Sequence, residues 1–274
     1  ALAEGVLDRP WGLDLDADGN IYVANCGKTQ CVKVFSPEGE FLRTVGREGG
    51  RNWVGTYVKD AMLMPAGIGV DADGKLWVSE KDRSPKRVSV WDSDGEVVGD
   101  FHGPSVPQND KYAAPYDREL INNHHVLYRL NYETGDYECV STLWRMHHDG
   151  WHVGRHIDTP ASRFIFRKHR GRVYAFADHG YSKRINTVLM LQPDDGLKPV
   201  ASLGFDHALP KALHEPYRDL IYNNKGEETH RMSMWHYWRD ANGDGRYQPE
   251  EYHLRRRGWN EPATVFTQVQ DDLT

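Results

Sequence analysis

Two stretches of the chain repeat one pattern of residues at a fixed distance. Residues 9–23 have the sequence RPWGLDLDADGNIYV, and residues 64–78 have the sequence MPAGIGVDADGKLWV. The alignment places Gly19 opposite Gly74, at an offset of 55 residues. Repetition at a fixed period is typical of architectures that stack one structural unit many times.

Each copy is predicted to form four short strands, because apolar runs alternate with Asp-Gly or Pro-Glu-Gly turn sequences. A four-stranded antiparallel unit that repeats is typical of a β-propeller blade, and such a sheet buries both faces only by packing against its neighbours. The segment Arg47 to Ala61 is predicted to be an insertion between two blades. In the first copy the strands are predicted at Gly12 to Leu15, Ile21 to Ala24, Val32 to Phe35 and Phe41 to Val45.

The repeated pattern is Pro-x-Gly-x-x-x-Asp-x-x-Gly-x-x-Tyr/Trp-Val, followed by an apolar triplet and a second Gly turn. It resembles the NHL repeat over residues 6–46 and 62–101. The resemblance implies an all-β fold, a β-propeller of four-stranded antiparallel blades. It specifies no activity, since proteins with this repeat include secreted proteins linked to carbohydrate, peptide-amidating lyases and RNA-binding scaffolds.

The repeat becomes degenerate after residue 101. We predict one propeller domain over residues 1–274, with about five to six blades. The degenerate blades are expected at 117–143, 163–203 and 217–257, with a partial blade at 258–274. Because a propeller must close to protect its sheet edges, either the N-terminal strand completes the last blade or the chain is an incomplete fragment of a longer protein with further domains. We favour the second interpretation.

Residues 240–251 have the sequence DANGDGRYQPEE, which matches the twelve-residue calcium loop with Gly at position 6 and Glu at position 12. Calcium prefers hard oxygen ligands at alternating positions, and the Glu at position 12 binds with both oxygens. The residues on both sides of the loop look like strands, so we expect a calcium site that stabilises the fold (a structural clip) instead of a calcium sensor. The alternative is an acidic turn without metal. The predicted ligands are Asp240, Asn242, Asp244, the carbonyl of Arg246, Gln248 and Glu251.

Histidines are abundant, with 14 in the chain, and several cluster where no strand period is visible. Loops on one propeller face converge on the central channel, so converging imidazoles would hold a second, transition metal or supply a general base. The alternative is that they make ordinary hydrogen bonds. The candidates are His147, His148, His152, His156 and His179.

Charge and cysteine content limit the classes of partner and compartment. The net charge of −6, with no long basic run, argues against nucleic acid as a partner, and no apolar stretch is long enough for membrane insertion. Cys26 and Cys31 flank four residues between two strands, which favours a disulfide over two free thiols. A disulfide implies a secreted or cell-surface protein, periplasmic or extracellular.

These features predict an extracellular, calcium-stabilised propeller that binds a small-molecule or glycan ligand, with carbohydrate favoured because aromatic residues are plentiful. The first alternative is a metal-dependent lyase or hydrolase acting in the central channel, such as a polysaccharide lyase or a protein like the amidating lyase. The second alternative is a protein-interaction scaffold. The chain has no G-x-S-x-G, P-loop or G-x-G-x-x-G motif.

Overall fold

The computed structural model is built almost entirely of antiparallel strands, which confirms the predicted all-β class. It divides into two compact units, Ala1–Pro107 and Gln108–Thr274, which are described separately below. The single domain over residues 1–274 stays a prediction. The structure describes residues 4–81, 85–103, 111–123, 126–143, 163–178, 185–192, 196–205, 215–222, 224–227, 234–244 and 248–256.

The first unit contains two four-stranded antiparallel sheets whose strands follow chain order. The first sheet contains β1 (Pro10–Leu15), β2 (Ile21–Asn25), β3 (Cys31–Phe35) and β4 (Phe41–Val45). The short strand β5 (Gly55–Thr56) follows, and the second sheet contains β6 (Pro65–Val70), β7 (Leu76–Glu80), β8 (Lys86–Trp91) and β9 (Val97–Gly103).

The two sheets also repeat in backbone detail. Arg9 and Met64, each before a proline, have positive φ angles of 54° and 53°. The carbonyl of Arg9 accepts a hydrogen bond from Cys26 N (3.1 Å), and the carbonyl of Met64 accepts one from Lys81 N (3.0 Å). Such agreement at an unusual backbone conformation shows that both copies form the same structural unit.

The sheets pack face to face around one apolar core. Strand β1 lies against β6, so closely that a Cβ added to Gly12 would come within 2.1 Å of the Ala66 carbonyl oxygen. Asp14 Oδ2 accepts a hydrogen bond from Val70 N at 2.7 Å and ties the same two strands together. First strands side by side with sheet faces in contact are the arrangement of neighbouring propeller blades. The core between the sheets contains Tyr22, Val32, Val34, Val45, Met62, Leu76, Val78 and Trp91.

The second unit repeats this arrangement with longer strands. One sheet pairs β10 (Lys111–Ala114), β11 (Asp117–Asn123), β12 (Val126–Leu130) and β13 (Tyr137–Thr142) in that order. The other begins with β14 (Arg163–His169), β15 (Arg172–Asp178), β16 (Ile185–Gln192) and β17 (Gly196–Phe205). Strand β10 packs against β14, and the shared core contains Ala114, Leu120, Leu127, Leu143, Phe166, Ala175 and Leu197.

The region predicted as a separate blade over 217–257 is arranged differently. Strands β18 (Met234–Arg239) and β19 (Tyr252–Arg256) extend the sheet beyond β17, giving six strands in the order β14 to β19. At the start of this region lies the one-turn helix α1 (Arg218–Ile221), where a blade of strands was predicted. Its Ile221 packs on Trp238, Tyr252 and Leu254, so the hairpin buries one face under a helix.

The parts of the chain that the structure describes form four sheets, and the partial blade expected at 258–274 lies outside them. In those same parts, no helix is both long and apolar enough to cross a bilayer.

Candidate functional site

The predicted calcium loop connects the last two strands of the six-stranded sheet. Strands β18 and β19 form an antiparallel pair with Trp238 opposite Tyr252, so the loop closes a hairpin, as its flanking residues predicted. Residues 240–244 and 248–251 of the loop are described, whereas Arg246 lies outside the described residues. Pro249–Glu251 forms a single 3₁₀ turn that leads into β19.

The first half of the loop is folded by its own side chains. Asp240 Oδ1 accepts a hydrogen bond from Gly243 N at 2.8 Å, and Asn242 Oδ1 accepts one from Asp244 N at 2.9 Å. These bonds turn the backbone tightly, which is what short polar side chains do in loops. Gly243 itself has a φ of 80°, in the region that favours glycine.

Glu251 at position 12 joins the two ends of the loop. Its Oε1 accepts hydrogen bonds from Ala241 N (2.8 Å) and Asn242 N (3.2 Å), and its Oε2 accepts one from Trp238 Nε1 at 3.2 Å. Trp238 is fully buried in the core beneath α1. The conformation of the loop is therefore connected directly to the packing of the hairpin.

The donor chemistry of the loop suits a hard cation. Asp244 Oδ2 and Gln248 Nε2 are 2.5 Å apart, and Gln248 Oε1 is buried without a hydrogen-bond partner among the described residues. Carboxylate and amide oxygens at these spacings are what calcium prefers. Within the described residues, however, no three His, Cys, Asp or Glu side chains converge on one point, because the carboxylates bond to loop N–H groups.

An open face of the sheet lies beside this loop. A pocket of about 330 Å³ is lined by residues of β17, β18 and β19. Leu203 pairs with Tyr237 and Tyr237 pairs with His253, so the three form one row across the strands. The rings of Tyr237 and His253 are stacked, with centroids 6.1 Å apart and planes 15° apart. The lining residues are Leu203, Trp235, Tyr237, His253, Leu254 and Arg255.

The two faces of this hairpin differ because side chains alternate along a strand. Trp238, Tyr252 and Leu254 are buried, whereas Tyr237 is 44% exposed and His253 is exposed. The buried residues fix the hairpin and the alternate residues present a rigid ring surface. The aromatic content of the sequence alone does not predict this surface, since the surface depends on the pairing of β17 with β18.

The candidate histidines His147, His148, His152, His156 and His179 all lie outside the described residues. The second metal and the general base assigned to them therefore remain predictions.

The predicted disulfide is not formed in the structure, where neither Cys26 nor Cys31 is part of a disulfide bond. The register explains the difference, because Cys31 pairs with Asn25 and not with Cys26. Burial raises the pKa of the Cys31 thiol, which disfavours its reactive thiolate form.

The first unit contains a buried ionic cluster that was not predicted from the sequence. Arg51 Nη2 lies 2.5 Å from Glu80 Oε2, and Arg87 Nη1 lies 3.0 Å from Glu80 Oε1. The three side chains are at most 1% exposed. Arg87 Nη1 also donates to the Ala61 carbonyl at 2.9 Å, so the cluster ties the insertion to the second sheet.

A tyrosine and a histidine extend this cluster towards β9. Arg87 Nε donates to Asp100 Oδ1 at 2.6 Å, and the Tyr57 hydroxyl donates to Asp100 Oδ2 at 2.8 Å. His102 Nε2 lies 3.1 Å from the same hydroxyl. Burial raises the pKa of Tyr57 and lowers the pKa of His102, so both side chains are neutral at neutral pH. With the side chain of His102 only 5% exposed, the arrangement fastens the insertion and presents no open catalytic surface.

One signal in the repeat points to this cluster. Where the first sheet has the pair Asn25 and Cys31, the aligned positions of the second sheet are Glu80 and Arg87. Opposite charges that replace uncharged side chains at the ends of adjacent strands indicate an ion pair. The insertion provides the other partners, Arg51 and Tyr57.

Comparison with known proteins supports the repeat and leaves the activity open. The family model of the NHL repeat matches residues 7–35, which include β1, β2 and β3. A search of curated proteins finds no match.

Several solved structures share a low similarity with the chain. Virginiamycin B lyase from Staphylococcus aureus is 9% identical, with 90% of this chain and 69% of that chain covered and a TM-score of 0.26. A streptogramin B lyase is 10% identical, with 90% and 68% covered and a TM-score of 0.27. A gluconolactonase candidate is 18% identical, with 69% and 61% covered and a TM-score of 0.26. Similarity at this level transfers no activity.

The repeat predicted from the sequence is thus confirmed by the family match at residues 7–35 and by two sheets that share the same backbone details. The chain therefore contains an NHL repeat, and its two four-stranded antiparallel sheets are arranged as neighbouring blades of the β-propeller type.

Proposed function

We propose that the chain is an extracellular, calcium-stabilised NHL protein that binds carbohydrate on the open face of β17, β18 and β19. The observation that carries the proposal is the row of Leu203, Tyr237 and His253 beside Trp235, which lines the pocket of about 330 Å³. A pyranose ring has a face of C–H groups that packs well on aromatic rings, while its hydroxyls bond to polar groups at the rim.

The stiffness of the face supports a binding role. Tyr237 is followed on β18 by Trp238, which is fully buried. The core beneath α1 therefore fixes the backbone that carries Tyr237. A side chain held in place loses little conformational entropy when a ligand binds. The ring surface is therefore organised before the ligand arrives.

Calcium has a structural role in this proposal. The ion would be held by Asp240, Asn242, Asp244, Gln248 and Glu251, with the carbonyl of Arg246 at position 7. Because Glu251 bonds to Trp238 and closes the hairpin, calcium in the loop would hold β18 and β19 in register. Calcium sites of extracellular modules bind at roughly 10⁻⁴ to 10⁻³ M, which suits a permanent clip outside the cell.

The binding proposal is tested with the variant Tyr237→Ala. A glycan array first identifies a carbohydrate that the unchanged protein binds in the presence of calcium. We expect Tyr237→Ala to weaken that binding at least tenfold, about 1.4 kcal/mol, because the central ring of the row is lost. Isothermal titration calorimetry measures the change.

The matched control is Tyr132→Ala, which removes a tyrosine that is 65% exposed in a turn away from the pocket. Its affinity should equal that of the unchanged protein. An array without any bound glycan, or equal affinities for both variants, would refute carbohydrate binding at this face.

The two alternative functions stay predictions. The metal-dependent lyase or hydrolase depends on histidines outside the described residues, and the protein-interaction scaffold needs a partner that no described feature identifies.

A further inference from the structure

We infer that the carbohydrate bound by this face is acidic, with carboxylate or sulfate groups. The inference rests on the proposed function and adds the chemical class of the ligand. The observation that supports it is the charge of β17, β18 and β19, the three strands that form the face.

All the charged residues of the strands around the pocket are basic. Their sequences, GLKPVASLGF, MWHYWR and YHLRR, contain four Lys or Arg residues and no Asp or Glu. The whole chain has a net charge of −6, so this composition is opposite to the average. A locally positive surface on a negatively charged protein attracts anionic ligands selectively.

Two of the arginines stand on the ring side of the sheet. Arg255 lines the pocket and pairs across the strands with Trp235. Arg239 lies on the same side of β18 as Trp235 and Tyr237, since it follows them at intervals of two residues. Arg256 belongs to the other side, where its Nη2 donates to the Asp219 carbonyl at 3.3 Å. The register therefore places Arg239 on one side of the ring row and Arg255 on the other.

The loop next to Arg239 carries the carboxylates Asp240, Asp244 and Glu251, and calcium bound in the loop as proposed above would partly offset their negative charge. Glu251 and Asp240 accept hydrogen bonds from backbone N–H groups of the loop, and Asp244 contacts Gln248.

Guanidinium groups select acidic sugars over neutral ones. Arginine binds a carboxylate or sulfate through two parallel hydrogen bonds, whereas a neutral sugar offers only single hydroxyl acceptors. Two arginines on opposite sides of the ring row match a saccharide that crosses the row and carries its charges on successive or alternate units. Single-stranded nucleic acid also stacks on rings, but its binding needs a basic groove that extends along the backbone, and the face has two arginines.

The test measures the affinity of the full chain, in calcium, for pairs of oligosaccharides that differ only in charge. Suitable pairs are oligogalacturonate with its methyl ester, and oligomers from heparin with their desulfated, carboxyl-reduced forms. We expect one acidic member to bind at least tenfold more tightly than its neutral counterpart. Arg255→Gln should reduce that ratio about tenfold, whereas Arg118→Gln, an exposed arginine on β11, should leave it unchanged.

The outcomes separate the inference from the proposed function. Equal binding of acidic and neutral members would overturn the inference and leave carbohydrate binding intact, as would binding to neutral array glycans alone. Tighter binding to single-stranded DNA than to any acidic oligosaccharide would overturn the inference in favour of nucleic acid. If no saccharide of either kind binds, the proposed function itself fails.

Discussion

Replacing Arg87 by methionine should lower the free energy of unfolding of the first unit by about 3–5 kcal/mol, because it leaves Asp100 without its arginine and leaves Glu80 with only one of its two. The Arg87 side chain is fully buried and bonds to Glu80, Asp100 and the Ala61 carbonyl. Methionine fills similar space without the charge. Urea denaturation, followed by hydrogen-exchange mass spectrometry of peptides within residues 64–103, measures the loss.

The control is Arg47→Met in the same insertion. Arg47 also makes an ion pair, at 2.9 Å with Asp60, but its side chain is 56% exposed. Exposed pairs contribute about 0–1 kcal/mol, so this variant should be almost as stable as the unchanged protein. Equal losses for the two variants would show that the Arg87 cluster is not buried as described.

Calcium should raise the melting temperature of the unchanged protein, and a chelator should reverse the increase. Binding to the folded state alone stabilises it by about 2.7 kcal/mol when the free calcium concentration is 100 times the dissociation constant. Asp244→Ala removes the ligand at position 5 and should both lower the melting temperature and abolish its dependence on calcium. Differential scanning calorimetry with and without calcium measures both effects.

Asp73→Ala serves as the matched control for calcium. Asp73 lies in an exposed four-residue turn, residues 71–74, that also has an Asp-x-Asp-Gly sequence but is too short for a calcium loop. Its calcium response should equal that of the unchanged protein. A full calcium response in Asp244→Ala would remove the assignment of the loop.

Local sequence patterns predicted the first two sheets well. The turns at Gly19 and Gly74 and the alternation around them placed eight strands within a few residues of their positions. These signals act over short distances, so each can be recognised without knowledge of the partner sheet. The family match at residues 7–35 lies in this part of the chain.

Features that depend on distant partners were not predictable in the same way. The pairing of β17 with β18 joins residues separated by a long connection, and it decides both that β18 and β19 extend the sheet of β14 to β17 and that Tyr237 faces the pocket. The helix at Arg218–Ile221 covers that hairpin, and it lies in a region that was predicted as a blade of strands. The buried cluster needed Arg51 and Arg87, which are far apart in the sequence, to meet at Glu80.

The packing of the first two sheets as neighbouring blades is tested most directly by methyl NMR of the full chain with labelled valine and leucine. We expect nuclear Overhauser contacts between Val32, Val34 and Val45 of the first sheet and Leu76 and Val78 of the second, since all five belong to one buried core. Contacts of Val32, Val34 and Val45 that stay within the first sheet would contradict this packing.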